Sequence, residues 1–200
     1  MYIREVRSVD SKKSKVKFDN GISIILYKGE IRKYNIKEET CIDIHDYDYI
    51  MNELLPKRCR ERAMYIIERT DKTRKQLSDK LRQNGYTDDI IEHTLEFLDR
   101  YGYIDDLRYA KNYINSKHKS RSRRQIEYEL LQRGIDSEKL KEVFDEGCFD
   151  ELSTVKKLLI KRRYSEDDSD NKSKHIRYLM RKGFSYDTIL KAMDELKYIK

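Results

Sequence analysis

The stretch LRQNGYTDDIIEHTLEFL, residues 81–98, returns as LLQRGIDSEKLKEVF at 130–144 and as LMRKGFSYDTILKAMDEL at 179–196. The glycines of the three copies, Gly85, Gly134 and Gly183, are 49 residues apart in both intervals. At that single offset the neighbours fall into register without adjustment. Leu81, Leu130 and Leu179 coincide, and Tyr86, Ile135 and Phe184 follow the glycines as apolar residues. Thr87, Asp136 and Ser185 stand where a helix N-cap belongs. Ile91, Leu140 and Ile189 match, as do Leu95, Phe144 and Met193. Each match has a physical cause. Gly closes a helix in a left-handed conformation at low cost. The cap side chain then accepts the unpaired N–H groups of the next helix. Apolar residues at offsets of 0, 4 and 7, as in Ile91, Leu95 and Leu98, mark one helix face. In the second copy Gly147 interrupts that face, so its third helix is expected to end early.

Working outward, Thr73, Ser122 and Asn171 form a second set of caps at the same offset. Thr73 with Gln76, and Ser122 with Gln125, read as capping boxes. A further helix precedes each pair, marked by Ala63, Ile66 and Ile67, by Ala110, Tyr113 and Ile114, and by Val155, Leu158 and Leu159. The pattern predicts three three-helix units, with helices over 58–70, 73–84 and 87–101, then 106–118, 122–133 and 136–146, then 152–163, 171–182 and 185–197. One such unit buries little, and stacking is how small repeats gain stability. The distance from the first apolar marker to the cap grows from 10 to 12 to 16 residues, which places the variation on one face.

Residues 1–55 follow another rule. Val16 and Phe18 alternate with Lys15 and Lys17, Asp19-Asn20-Gly21 supplies hairpin-turn chemistry, and Ile22–Leu26 continues as a strand. Tyr2–Val6 is a plausible partner strand, which gives three strands. Short helices are expected over 30–55, and Pro56 reads as the junction with the helical part. The expected fold is therefore mostly α: an elongated array of three tandem three-helix repeats behind a small N-terminal β-hairpin or three-stranded module. The expected domains are 1–55, 56–105, 106–151 and 152–200.

Composition agrees with a thin molecule. Charged residues make up 40% and apolar ones 38% of 200 residues, which is too polar for one large core. The net charge of +7 is uneven: residues 1–55 carry 10 basic and 10 acidic groups, while 152–200 carry 13 and 7. Three widely spaced cysteines, Cys41, Cys59 and Cys148, suit a reducing compartment. The N-terminus has no apolar signal core, and no apolar run reaches membrane-spanning length, so a cytoplasmic protein is expected.

Catalytic signatures are missing. No glycine-rich loop would cradle phosphates, and His45, His93, His118 and His175 have no zinc-like spacing. The pairs Asp88-Asp89 and Asp105-Asp106 sit at helix starts, where they suit the helix dipole, and Asp167-Asp168 lies in the longest loop. No enzyme activity and no cofactor are expected. What remains is positive charge in three clusters. Lys117, Lys119, Arg121, Arg123 and Arg124 fall within eight residues that contain no acid. Lys156, Lys157, Lys161, Arg162 and Arg163 lie on the first helix of the third unit. Lys172, Lys174, Arg177, Arg181 and Lys182 lie on its second, near the aromatic Tyr164 and Tyr178. Solvated cations are the plain reading of such runs. Five cations without an acid argue for phosphate or carboxylate partners in the first cluster.

The stretch 63–114, with Leu81 and Gly85 and the segment Tyr101-Gly102-Tyr103-Ile104-Asp105-Asp106 leading to Arg108, Tyr109 and Ala110, resembles the RecX regulatory proteins. The likeness continues through QIEYELLQRGIDSEKL (125–140) and YLMRKGFSYDTIL (178–190), and covers about 58–197. The resemblance implies a modulator of the RecA recombinase that binds in the groove of RecA filaments. It implies inhibition of ATP hydrolysis, strand exchange and coprotease activity, and in some members DNA binding. A monomer is expected, acting as a rigid platform across several filament subunits. The rival reading is a DNA-binding helical repeat that acts without a recombinase.

Overall fold

A computed structural model describes residues 1–145, 150–164 and 169–197, with 169–171 and 197 described by their backbone alone. Gly147, Cys148 and the Asp167-Asp168 pair lie outside the described residues. The chain divides into two compact units, Met1–Asp105 and Asp106–Lys200.

The first unit opens with β1 (Tyr2–Ser8), β2 (Lys13–Phe18) and β3 (Ser23–Tyr27), joined by hairpins. In β2, Ser14, Val16 and Phe18 are buried while Lys15 and Lys17 are exposed, the alternation expected of a sheet with one wet face. Gly21 takes the left-handed conformation (φ 84°) at the turn, and Phe18 N–H reaches Ile22 O at 2.9 Å. Helix α1 (Lys28–Lys33) follows, then β4 (Thr40–Cys41). The sheet therefore has four strands, in the order β3-β2-β1-β4, rather than three. β4 is two residues long and pairs antiparallel with β1 through Tyr2↔Cys41 and Ile3↔Thr40. So short a strand carries no alternation to read.

Pro56 does not break the helix. Helix α2 (Ile44–Tyr49) runs through a wide π-helical turn (Ile50–Leu54) into α3 (Leu55–Arg69), with Pro56 in the first turn of α3. A proline ring clashes with the carbonyl four residues back in a regular helix. Here the turn before it is widened, and Leu55 N–H bonds Ile50 O. The widened turn lets the helix continue through the proline.

Helices α4 (Arg74–Gln83) and α5 (Asp88–Arg100) complete the first repeat. The second holds α6 (Asp106–Lys117), α7 (Arg123–Gln132) and α8 (Ser137–Asp145). The third holds α9 (Glu151–Lys161), α10 (Ser169–Arg181) and α11 (Tyr186–Lys197). Because α10 starts at Ser169, Asn171 lies inside its first turn rather than capping it. The glycines behave as the repeat requires: φ is 86° at Gly85, 85° at Gly134 and 88° at Gly183. Each closes the same pair of bonds, for example Gly134 N–H to Leu131 O (2.9 Å) and Ile135 N–H to Leu130 O (3.2 Å).

Burial follows the markers. Ala63, Leu77, Leu81, Ile91, Leu95 and Leu98 share one core with Ile3, Val16, Phe18, Ile24 and Leu26 of the sheet. The N-terminal module is thus built onto the first repeat. The second repeat closes on Ala110, Ile126, Leu130, Leu140 and Phe144, and the third on Val155, Leu159, Leu179, Ile189 and Met193.

Candidate binding groove

The first basic cluster surrounds the start of α7, where the second repeat meets the third. Ser122 is buried, and its hydroxyl accepts the Gln125 N–H (3.1 Å) as a cap should. The expected box is only half formed. Ser122 N–H donates to Lys182 O at 3.1 Å, and the Gln125 amide turns to Glu129 at 2.8 Å. Thr73, by contrast, forms the full box with Gln76. Arg123 N–H donates to the Glu151 carboxylate at 2.7 Å. The orphan donors at the start of α7 are therefore satisfied partly by the neighbouring repeat.

This packing commits part of the cluster. Arg121 pairs with Glu129, which also accepts the Tyr113 hydroxyl (2.5 Å). Arg123 lies over the Phe144 ring (4.8 Å to its centre), with Asp145 at 4.0 Å. Lys117 is 5.9 Å from the centre of the Tyr113 ring. Lys119 and Arg124 are exposed and have no acidic partner among the described residues.

In the second cluster, Lys156 pairs with Glu195 and ties α9 to α11. Lys157 and Lys161 are exposed and stand apart from the groove described next. Arg163 ends the α9 turn with φ 54°, a left-handed conformation that costs a side-chain-bearing residue about 1 kcal/mol. Arg162 lies 4.1 Å from the centre of the Tyr178 ring, close enough for a cation–π contact.

Tyr178 is the hub. Lys182 approaches its ring at 5.2 Å. One hollow beside it is lined by Arg162, Lys174, Arg177, Met180 and Arg181, and another by Arg121, Gln125, Glu129, Arg181 and Lys182. Tyr178 and Arg181 line both, so the two hollows adjoin and are treated together as one candidate groove. Six of the fifteen expected cations thus converge: Arg121, Arg162, Lys174, Arg177, Arg181 and Lys182. Glu129 is the acid in the lining, and Arg121 already occupies it. Lys172 is half-buried and lies outside the lining. Met180, Gln125 and Glu129 were missed in the sequence, because spacing along one helix does not show which residues a second helix brings near.

His175 is buried on α10, with its ring edge-on to Tyr164 (5.5 Å between centres). Burial, then the charge of Arg162, pushes its pKa below the ordinary histidine value. No group of three or more His, Cys, Asp or Glu residues could hold a metal among the described residues. No described helix is long and apolar enough to cross a membrane.

These features define a class: a tandem three-helix repeat protein with a basic, aromatic-centred groove in its second unit. Family models for the first, second and third three-helix domains of RecX match residues 59–98, 105–143 and 150–193. The chain belongs to the RecX family of regulatory proteins. It is 30% identical over 182 residues to the regulatory protein RecX of Clostridium perfringens (strain SM101 / Type A), covering 85% of this chain and 84% of that one. It is 29% identical over 197 residues to that of Clostridium botulinum (strain Eklund 17B / Type B), covering 96% and 93%. A crystal structure of RecX from Lactobacillus salivarius superposes with a TM-score of 0.62 at 26% identity, over 72% of this chain and 97% of that one. Another RecX crystal structure covers 96% of this chain and 98% of its own, with a TM-score of 0.63 at 18% identity, and shares the fold.

Proposed function

We propose that this chain binds RecA recombinase filaments through the groove around Tyr178 and inhibits ATP hydrolysis, strand exchange and coprotease activity. One observation carries the reading: in a RecX-family chain, Arg162, Lys174, Arg177, Arg181 and Lys182 converge on one groove with no acidic partner among the described residues. Guanidinium forks match carboxylates and phosphates. A filament offers both, from acidic side chains and from bound DNA. Identical filament subunits and repeated contacts let weak pairings act together through effective concentration. A chain that binds one filament state better than another shifts the population towards it.

The test is the concentration of chain that halves the ATPase of RecA on single-stranded DNA. Replacing Arg177 and Arg181 by alanine is expected to raise it about tenfold, the scale of one lost charge contact. Replacing Lys119 and Arg124 probes the first cluster separately. These positions are preferred to Arg121 and Arg123, whose side chains are engaged within the second repeat, by Glu129 and by the Phe144 ring. A folded Arg177→Ala/Arg181→Ala variant that inhibits as well as the unaltered chain would remove the groove from the proposal.

A further inference from the structure

Helix α5 ends in the same kind of turn as the three repeat glycines, but the residue after the turn is placed differently. Gly102 is left-handed (φ 68°), its N–H bonds Asp99 O at 3.0 Å, and Tyr103 N–H bonds Leu98 O at 2.9 Å. Turns of this kind tuck the following apolar residue against the helix they close. Ile135 and Phe184 are buried in that way, and Tyr86 packs against the first core. Tyr103, at the equivalent position, is 46% exposed, and Ile104 beside it takes the buried place. Tyr101, just before the glycine, is 62% exposed.

The exposed rings form a row. Phe97 and Tyr101, one turn apart on α5, have ring centres 4.7 Å from each other, and those of Tyr101 and Tyr103 are 6.4 Å apart. Phe97 is itself exposed. Arg60 of α3 stands over the Phe97 ring at 5.8 Å from its centre. Arg100, three residues after Phe97, shares its side of α5. Arg60 and Arg100 are exposed and pair with no acid among the described residues, Glu96 one turn before Arg100 included. Asp99 is taken by Arg74. The groove of the second unit uses none of these residues.

We infer that this row is a stacking platform for an unpaired strand of nucleic acid, with bases on Tyr101 and Tyr103 and phosphates held by Arg60 and Arg100. Every base has a π-face, so open aromatic rings flanked by cations take up single strands with little regard to sequence. A duplex keeps its bases stacked on one another and offers the rings nothing. An acidic protein segment answers the arginines but leaves the rings unmatched. A second copy would bring like charge against like. Two phosphate contacts give a shallow salt dependence, with a log–log slope of about −1.4. The contact is therefore weak, unlike the binding expected of a chain that acts through DNA alone. The inference does not rest on the recombinase reading, since it concerns another unit, other residues and a test without recombinase.

The probe is a fluorescein-labelled oligothymidylate of about twelve nucleotides, within the span that such sites cover. It is added to the full chain carrying Arg177→Ala and Arg181→Ala, so that the groove does not compete for phosphates. Saturable binding is expected in fluorescence anisotropy. Tyr101→Ala and Tyr103→Ala, as independent variants, should each weaken it about tenfold, the scale of one lost stack. Tyr101→Phe keeps the ring and should bind as its parent does. Both tyrosines are at the surface, and circular dichroism checks folding. A strand of the same length without bases should bind at least about tenfold more weakly, and a duplex should not compete. Oligouridylate should bind alike, since stacking reads neither sugar nor sequence. Equal binding of the baseless strand, binding indifferent to both alanine variants, or an equal loss in Tyr101→Phe would each overturn the inference. So would displacement by a polyglutamate peptide as effective as by unlabelled oligothymidylate, or a dimer in light scattering that Tyr101→Ala dissolves.

Discussion

A methyl group at position 183 would run into the Ser122 hydroxyl and come within 2.8 Å of Gln125 Cβ, while the backbone there holds φ 88°. The glycine thus answers two demands, a left-handed helix end and the close approach of the preceding repeat. The first was legible from its place after Leu179 and before Ser185. The second was not, because no local pattern reports what another repeat brings near. Gly21 separates the two effects: its φ is 84°, but a methyl there meets nothing within 4 Å. Gly21→Ala is expected to cost about 1 kcal/mol from the backbone alone. Gly183→Ala is expected to cost about 2–4 kcal/mol, the overpacking being added. Urea unfolding measures both, and equal losses would show that the Ser122 contact adds nothing.

At the scale of elements, α10 carries a titratable group in its packed face. His175 is buried, so its charged form is disfavoured when folded and its pKa is lowered. As pH falls through the ordinary value near 6.5, the unfolded chain takes up a proton that the folded one resists. Stability from this group is therefore present above that value and lost on acidification. The urea midpoint of the unaltered chain should drop between pH 7.5 and 5.5, and His175→Phe should flatten that drop. An equal drop in the variant would remove His175 as the cause. Other elements explain what the sequence did and did not disclose. The repeat helices were legible because apolar spacing, a cap and a glycine agreed at one offset. β4 was not, being two residues long. The π-helical turn was not either, since Pro56 reads locally as a break and only the geometry before it shows the helix continuing. The candidate groove was half legible. Its cations were countable, but the hub role of Tyr178 depends on α9 placing Arg162 against α10. Arg121 and Arg123, which looked most available, have their side chains engaged inside the second repeat.

For the whole molecule, charge divides unevenly between the units. Residues 106–200 carry 23 basic and 17 acidic groups, so the second unit holds +6 of the net +7. The first unit is close to neutral, and its sheet shares a core with the first repeat. Ile25 of the sheet lies against Gly85, much as Ser122 lies against Gly183. The N-terminal module therefore covers, on the first repeat, the kind of turn that the second repeat covers on the third.

The most direct test of the account is a titration of the chain against the single-stranded-DNA-dependent ATPase of RecA, beside a gel shift on the same DNA without RecA. The account predicts inhibition at amounts well below one chain per recombinase subunit, with weak binding to DNA alone. Tight, strongly salt-dependent DNA binding with the ATPase lost only as DNA is sequestered would contradict it.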